Sequence, residues 1–114
     1  FLGHPVGCAM ALKSLDILAR PETIEIVARA SMNLKKALHD LHHDGLVEVR
    51  GRGLMVGLEL EQNAGKLLAE LLSEGLIFLA DGPAGNVLSF TPPFVISEEE
   101  IEFAVGKVSR LLRG

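Results

Sequence analysis

At Val49-Arg50-Gly51-Arg52-Gly53-Leu54-Met55-Val56-Gly57-Leu58-Glu59-Leu60, the hydrophobic pattern of this 114-residue chain takes a period of two. From position 54 to position 60, leucine or valine alternates with methionine, glycine and glutamate, as in a strand with one face on a core. Gly51 and Gly53 are suited to the positive φ angles of a short hairpin connection. The stretch therefore predicts two tightly joined strands, and the first of them places Val47 and Val49 opposite to Glu48 and Arg50.

Two helices are predicted before this hairpin. Between residues 6 and 19, apolar side chains recur at intervals of three and four, which is typical of a helix with one buried face. Pro21 interrupts the pattern and is accepted in the first turn of a second helix, which we expect to continue until Gly45 caps it. The apolar stripe predicted for this second helix consists of Ile24, Val27, Ser31, Leu34, Leu38 and Leu41.

A helix, two strands and a final helix are predicted after the hairpin. The third helix covers residues 63–74 and ends at Gly75, and a short buried strand follows at residues 76–80. Turn-forming residues at 81–86 separate it from a strand at residues 87–91. Ser97, followed three residues later by Glu100, has the pattern of a capping box and predicts the start of the last helix. The buried face predicted for this helix is Ile101, Ala104, Val105, Val108, Leu111 and Leu112.

The predicted order is helix, helix, strand, strand, helix, strand, strand, helix, within one domain that spans residues 1–114. This order favours an α+β fold in which helices cover one side of a small, mostly antiparallel sheet.

Composition excludes several classes of partner. The net charge is −4, and the chain has no basic stripe and no tryptophan or tyrosine to stack on bases, so we expect no nucleic-acid binding. No apolar run approaches the roughly 20 residues of a membrane span, so we expect no membrane insertion. Cys8 is the only cysteine, which is compatible with a reducing cytoplasm, and its helical spacing to Leu12 and Leu15 predicts a buried, small apolar role.

The residues that carry chemistry elsewhere do not form a self-contained site in this sequence. His39 and His43 have the spacing of a zinc-binding pair on one helix face, but histidine is also favoured at a helix C-terminus by the dipole, and no further Cys or His ligand follows. We therefore predict no metal. The glycine-rich turns at 51–53 and 81–85 lack the spacing of phosphate-binding loops. We predict no catalytic residue, and a non-catalytic interaction module that binds a partner through the 24–41 stripe is one alternative.

Four segments, in this order and spacing, resemble the C-terminal part of the class III pyridoxal-phosphate-dependent aminotransferases. They are Phe1-Leu2-Gly3-His4-Pro5, the stretch quoted above, Asn86-Val87-Leu88-Ser89-Phe90-Thr91-Pro92-Pro93, and Ile96-Ser97-Glu98-Glu99-Glu100-Ile101. The resemblance implies the small C-terminal domain of a fold type I transferase, with residues 1–20 as a helix that leads in from a large domain. It implies a cytoplasmic homodimer that moves an amino group between an amino acid or amine and a keto acid or aldehyde.

The same resemblance locates the cofactor mostly outside this chain. In the family, pyridoxal 5′-phosphate is held on a Schiff-base lysine of the large domain, and no lysine here lies in a similar segment. A threonine that binds the cofactor phosphate of the neighbouring subunit precedes the position of Phe1, so Phe1 is expected to adjoin the cofactor. Leu2 and His4 replace the commoner glycine and asparagine of that segment. The 114 residues alone are therefore expected to be inactive.

Ser89 is the most informative departure from the family. Many relatives carry an arginine there that pairs with a substrate carboxylate, and a serine hydroxyl does not replace that fork. We predict that Ser89 is substrate-facing and that recognition of a carboxylate is weakened, or supplied by the large domain. An amine or a differently anchored ω-amino acid is then as plausible a substrate as one that resembles acetylornithine. A serine that merely faces the sheet or solvent is the alternative. The resemblance implies that Arg50 and Arg52 lie near the catalytic cleft. A solvated hairpin position explains both equally well and is the preferred interpretation of Arg52. Mutase, racemase and decarboxylase reactions, which other members of the family catalyse, are alternatives to amino transfer.

Overall fold

The computed structural model describes residues 3–113. In chain order the elements are α1 (Pro5–Leu18), α2 (Pro21–His39), β1 (Leu46–Arg52), β2 (Met55–Leu60), α3 (Gly65–Ser73), β3 (Leu79–Asp81), β4 (Val87–Phe90) and α4 (Glu98–Leu112). The predicted order of helices and strands is confirmed, and so is the α+β class.

The strands of the described region form one antiparallel sheet in the order β1-β2-β4-β3. β1 and β2 form the predicted hairpin, in which Gly51 has φ +156° and Gly53 has φ +59°. The register of β1 shifts between Leu46 and Glu48, and Val47 is 57% exposed at this irregularity. The expectation that Val47 shares the inward face of Val49 is therefore wrong, because a bulge breaks the alternation of a strand.

Helices α2, α3 and α4 pack on one face of this sheet, which we call the covered face. Its strand residues come from β2 and β4 and are almost fully buried: Val56, Leu58, Leu60, Leu88 and Phe90. Leu34 and Leu38 of α2, Leu71 of α3 and Val108 of α4 complete the same cluster. Phe78 contributes an edge-to-face contact with Phe90, with ring centroids 4.7 Å apart. The core thus lies between one sheet face and three helices, as predicted.

Helix α1 departs from the sequence-based expectation. The helix itself is present, and His4 caps it by accepting a 3.1 Å hydrogen bond from the amide of Gly7 on its Nδ1. An asparagine side chain at a helix N-terminus accepts the same kind of capping hydrogen bond. No residue of α1 is buried, and Cys8 is exposed. The prediction of a buried Cys8 is wrong because the other described residues leave this part of α1 exposed.

Three further expectations are corrected. α2 ends at His39, so Gly45 does not cap it. Ile24, in the predicted apolar stripe of this helix, is 60% exposed and lies outside the core. Residues 76–80 do not form a buried strand. β3 covers Leu79–Asp81, and all three of its residues are exposed; Leu79 and Asp81 lie on the sheet face away from the helices. The pattern of apolar residues indicated which side chains favour burial, but not whether other residues of this chain bury them.

Helix α4 begins as predicted. The Ser97 hydroxyl accepts from the amide of Glu100, and the Glu100 carboxylate accepts from the amide of Ser97, which is the reciprocal capping box. The hydrogen bond that the Ser97 backbone amide donates to the Glu100 carboxylate, and after it one from the Ser97 side chain, hold the pKa of Glu100 below its ordinary value. Ile101, Val105 and Val108 are the buried positions of the predicted apolar face, while Ala104, Leu111 and Leu112 are half-buried.

Glu74 joins the end of α3 to α4. Its carboxylate accepts hydrogen bonds from Lys107 Nζ and from Arg110 Nη2, the latter at 2.7 Å. These donors, Lys107 first, hold the pKa of Glu74 below its ordinary value of 4.5. A carboxylate whose pKa is lower in the folded state stabilises the fold above the unfolded-state pKa, and this contribution is lost as the pH falls through the folded-state pKa.

We expect Glu74→Gln to lower the melting temperature at pH 7, and the difference from wild type to be smaller at pH 3, because the wild-type carboxylate gains protons as the pH falls toward its folded-state pKa. Thermal unfolding of both proteins at the two pH values checks this. The matched control is Glu102→Gln on α4, an exposed carboxylate outside the ion pairs of the described region. An equal difference at both pH values would contradict the role given to Glu74.

Across residues 3–113, no helix is both long and apolar enough to cross a membrane.

Candidate functional site

The sheet face opposite the helices carries the candidate site, and we call it the open face. One cross-strand row runs through it: Arg50 of β1 pairs with Gly57 of β2, Gly57 pairs with Ser89 of β4, and Ser89 pairs with Leu79 of β3. Directly paired residues of an antiparallel sheet point to the same side. Ser89 therefore lies between an apolar side chain and a glycine, on the side of the sheet that the helices leave free.

The open face forms a shallow depression of about 720 Å³. Besides the row just described, its lining includes Met55, Asp81, Val87 and Thr91. Met55 is 72% exposed and Leu79 is 68% exposed, which is unusual for large apolar side chains of a sheet. The depression is thus largely apolar, and its lining also includes the hydroxyl groups of Ser89 and Thr91 and the charged groups of Arg50 and Asp81.

Gly57 determines the shape of the depression. A Cβ at this position would lie 2.9 Å from Val87 Cγ1, so Val87 already occupies the space beside it. Because glycine has no side chain, β2 places nothing on the open face between Arg50 and Ser89. Their backbones are two strand spacings apart, about 10 Å.

Arg50 is held at the margin of the depression by two carboxylates. Its Nη1 atom donates to Glu48 Oε2 at 2.9 Å, and the same atom donates to Glu59 Oε2. The hydrogen bond to Arg50 is the main reason that the pKa of Glu59 lies below its ordinary value, and the same contact raises the pKa of Arg50. One guanidinium and two carboxylates together give this cluster a formal charge of −1.

The other predicted site residues do not join this cluster. Phe1 lies outside the described residues. His39 ends α2, while His43 lies beyond it and accepts a 3.0 Å hydrogen bond from the amide of Gly45 on its own Nδ1. The expectation that His39 and His43 share one helix face is wrong, because the helix stops before His43. Among residues 3–113, no group of three or more metal-ligating side chains is close enough to hold an ion.

The described residues do not form a cofactor site by themselves. A pyridoxal group needs a lysine amine for covalent attachment. The depression is lined by no lysine of the described region, and Lys107 is engaged with Glu74 on the helical side. The described residues of the open face therefore offer no attachment point for such a cofactor.

Sequence reasoning found Ser89 and Arg50 but missed Glu48, Glu59 and Gly57. The alternation of residues 48 and 50 already places Glu48 and Arg50 on one face. The position of Glu59 beside them depends on the register of the hairpin, which pairs Glu48 with Glu59 and Arg50 with Gly57. Alternation alone does not determine that register, so the contact of Arg50 with Glu59 could not be predicted from the sequence.

Comparison with known proteins gives one consistent family. Residues 1–112 match the sequence model of the family described as aminotransferase class III. Acetylornithine aminotransferase 1 of Bradyrhizobium diazoefficiens is 37% identical over 113 residues, which are 96% of this chain and 27% of that protein. Ornithine aminotransferase of Bacillus subtilis is 33% identical, over 99% of this chain and 28% of its own length.

Solved structures agree with these relatives. N-acetylornithine aminotransferase from Stenotrophomonas maltophilia superposes with a TM-score of 0.83 and 31% identity, over 96% of this chain and 31% of that structure. A Bacillus anthracis aminotransferase superposes with a TM-score of 0.82 and 31% identity, over 96% of this chain and 28% of that structure. The chain thus spans between a quarter and a third of the length of the proteins that it matches.

Proposed function

This chain belongs to the class III aminotransferase family and matches its C-terminal portion, and we propose that it serves as the small domain of a pyridoxal-phosphate-dependent transaminase. The reaction moves an amino group from an amino acid or amine donor to a keto acid or aldehyde. The observation that carries the proposal is the match over residues 1–112, to relatives that are named aminotransferases. Those names favour amino transfer over mutase, racemase or decarboxylase chemistry, and over a non-catalytic interaction module.

In this proposal the cofactor is held by a part of the protein outside these 114 residues, since no lysine of the described residues lines the open face. Bound pyridoxal phosphate supplies an electron sink for the bonds at the substrate carbon. The open face forms one wall of the substrate site, and Ser89 faces the substrate. Phe1 is proposed to adjoin the cofactor phosphate of the neighbouring subunit in a homodimer. The single cysteine of the chain is consistent with a cytoplasmic enzyme.

The direct test is amino transfer by the protein expressed from its complete gene. We expect a keto acid such as pyruvate to be converted to its amino acid in the presence of an amino donor, and the rate to depend on added pyridoxal phosphate. A panel of amino acids and amines identifies the donor. Attachment of the cofactor without any amino transfer would contradict the transaminase and favour another reaction of the family.

Helix α1 supports the proposed contact with a large domain. Val6, Met10, Leu12 and Leu15 are each more than 60% exposed, and between them they point away from the helix on several sides. A helix with apolar residues on most of its circumference is normally enclosed. We propose that the large domain and the partner subunit enclose α1 in the complete protein.

If α1 needs such cover, the 114-residue chain alone should self-associate. We expect sedimentation velocity to show an average mass that rises with protein concentration, because exposed apolar patches associate. Leu12→Glu with Leu15→Glu should reduce this association, whereas Lys13→Glu, on the same helix, should not. A compact monomer at high concentration would contradict the proposal.

Ser89 is expected to set the preference for carboxylate-bearing donors. In the complete enzyme, Ser89→Arg should raise kcat/KM for a donor with an α-carboxylate by roughly tenfold relative to an amine, because a guanidinium forms two charge-assisted hydrogen bonds with a carboxylate. Steady-state kinetics with paired donors measure the ratio. Ser73→Arg, at an exposed position of α3, is the matched control, since it adds the same charge away from the open face. No change in the ratio for Ser89→Arg would contradict the role of Ser89.

A further inference from the structure

The open face already contains a cation near Ser89, but this cation is neutralised. Arg50 lies in the same cross-strand row as Ser89, with only Gly57 between them. Its Nη1 atom is engaged by Glu48 and by Glu59, so two negative charges surround one positive charge. A carboxylate that approached Ser89 would therefore meet a cluster with a net charge of −1.

The remaining charges near the depression do not reverse this balance. Asp81 of β3 pairs with Val87 and lines the depression, which adds a negative charge. Arg52 adds a positive charge, but it lies at the hairpin end opposite Met55, one row further from Ser89 than Arg50, and is not part of the lining. The lining therefore carries one arginine, Arg50, and one carboxylate, Asp81. The carboxylates of Glu48 and Glu59 lie outside the lining and bind Arg50.

We propose that Glu48 and Glu59 determine donor specificity by neutralising Arg50, so that the open face disfavours a donor carboxylate and accepts an amine that lacks one. This inference rests on the proposed function and deepens it, because it names a substrate class: primary amines with an apolar chain. Met55, Leu79 and Val87 supply the apolar contacts for such a chain, and Ser89 and Thr91 supply uncharged hydroxyls. Repulsion between like charges is strongest when the groups are desolvated or closely spaced. The gap at Gly57 lets a substrate carboxylate come close to the carboxylates that bind Arg50.

The test uses the complete enzyme and donors that differ only by one carboxylate. The probe pairs are L-alanine with ethylamine, and 4-aminobutyrate with propylamine. For Glu48→Gln with Glu59→Gln, we expect the ratio of kcat/KM for the amino acid to that for the amine to rise roughly threefold or more, through a lower KM for the amino acid. Each glutamine keeps the shape of the side chain and a hydrogen-bond acceptor, while Arg50 regains its net charge.

Two further variants separate this effect from a structural one. Adding Arg50→Gln to the double variant should abolish the gain, because the freed cation is then absent. Glu22→Gln with Glu25→Gln removes the same charge from α2, which packs on the covered face, and should leave the ratio at its wild-type value. The single variant Glu59→Gln should give a smaller gain in the same direction.

If the wild-type enzyme transfers amino groups and the double variant shows an unchanged or lower ratio, the inference is overturned but the proposed function is not. A gain that persists when Arg50 is also replaced would overturn it as well, since Arg50 would then not be the receiving cation. A wild-type enzyme that transfers no amino group from any of the four probes would instead count against the proposed function together with the inference that rests on it.

Discussion

Gly51→Ala should destabilise the protein by about 3 kcal/mol or more, which is at the upper end of the range for single substitutions. Gly51 closes the β1–β2 hairpin with φ +156°. A Cβ at this position would lie 2.1 Å from the carbonyl oxygen of Met55 and 2.7 Å from Val56 Cα. Both atoms belong to the backbone of the neighbouring strand, so the clash is not relieved by a change of rotamer. The hairpin has to open, or the register has to change.

Gly53→Ala is the matched control for this prediction. Gly53 lies in the turn between β1 and β2, two residues after Gly51, with φ +59°, but a Cβ there would meet nothing within 4 Å. Its cost is confined to the left-handed backbone conformation, about 1–2 kcal/mol. Urea unfolding of the two variants and the wild type measures the difference. A cost for Gly51→Ala that does not exceed the cost for Gly53→Ala would contradict the close approach of the two strands.

Leu58→Ala should cost about 2–5 kcal/mol in the free energy of unfolding. Leu58 is the centre of β2 on the covered face and is 0% exposed. It pairs with Leu88 of β4 and belongs to the cluster that Leu34, Leu71 and Val108 complete from the three helices. Truncation leaves a cavity that all four elements line, and a strand fixed on both sides is poorly able to close it.

Met55→Ala provides the comparison on the same strand. Met55 lies on the open face and is 72% exposed, so its truncation in the 114-residue chain should change stability by no more than about 0.5 kcal/mol. The measurement is again urea unfolding, at constant m value. Equal losses for the two variants would mean that the two faces of β2 are equally covered in this chain, contrary to the structure.

The sequence predicted most of the fold because its local signals agree. The change from a helical period to a period of two at residue 46, the glycines of the hairpin and the capping box at Ser97 each specify one element, and all of these elements are present. The limits of the helices and strands were less accurate. α2 stops at His39 although an apolar residue and a glycine follow it, since tertiary contacts, more than propensity, decide where a helix ends.

Burial was predicted less well than secondary structure, for a physical reason. An apolar stripe shows that a side chain is more stable away from water, but not which chain covers it. The stripe of α1 and the apolar residues near β3, such as Leu79, were expected to be buried, and they are exposed in this chain. In the proposed function these surfaces face the rest of the enzyme.

The candidate site was predicted in part. Ser89 was identified through its departure from the family, and the structure places it on the open face. The carboxylates that hold Arg50 depend on strand register and on long side chains that meet across a hairpin, which alternation alone does not determine. The net charge near Ser89 could therefore be worked out only from the strand pairing in the structure.

If this chain is part of a pyridoxal-phosphate-dependent enzyme, as proposed, borohydride reduction should change the intact mass of the protein expressed from its complete gene. We expect a chain longer than 114 residues that absorbs visible light and, after reduction, permanently gains the mass of the cofactor on one lysine outside these residues. A product that carries no trapped cofactor and absorbs no visible light, even after incubation with pyridoxal phosphate, would contradict it.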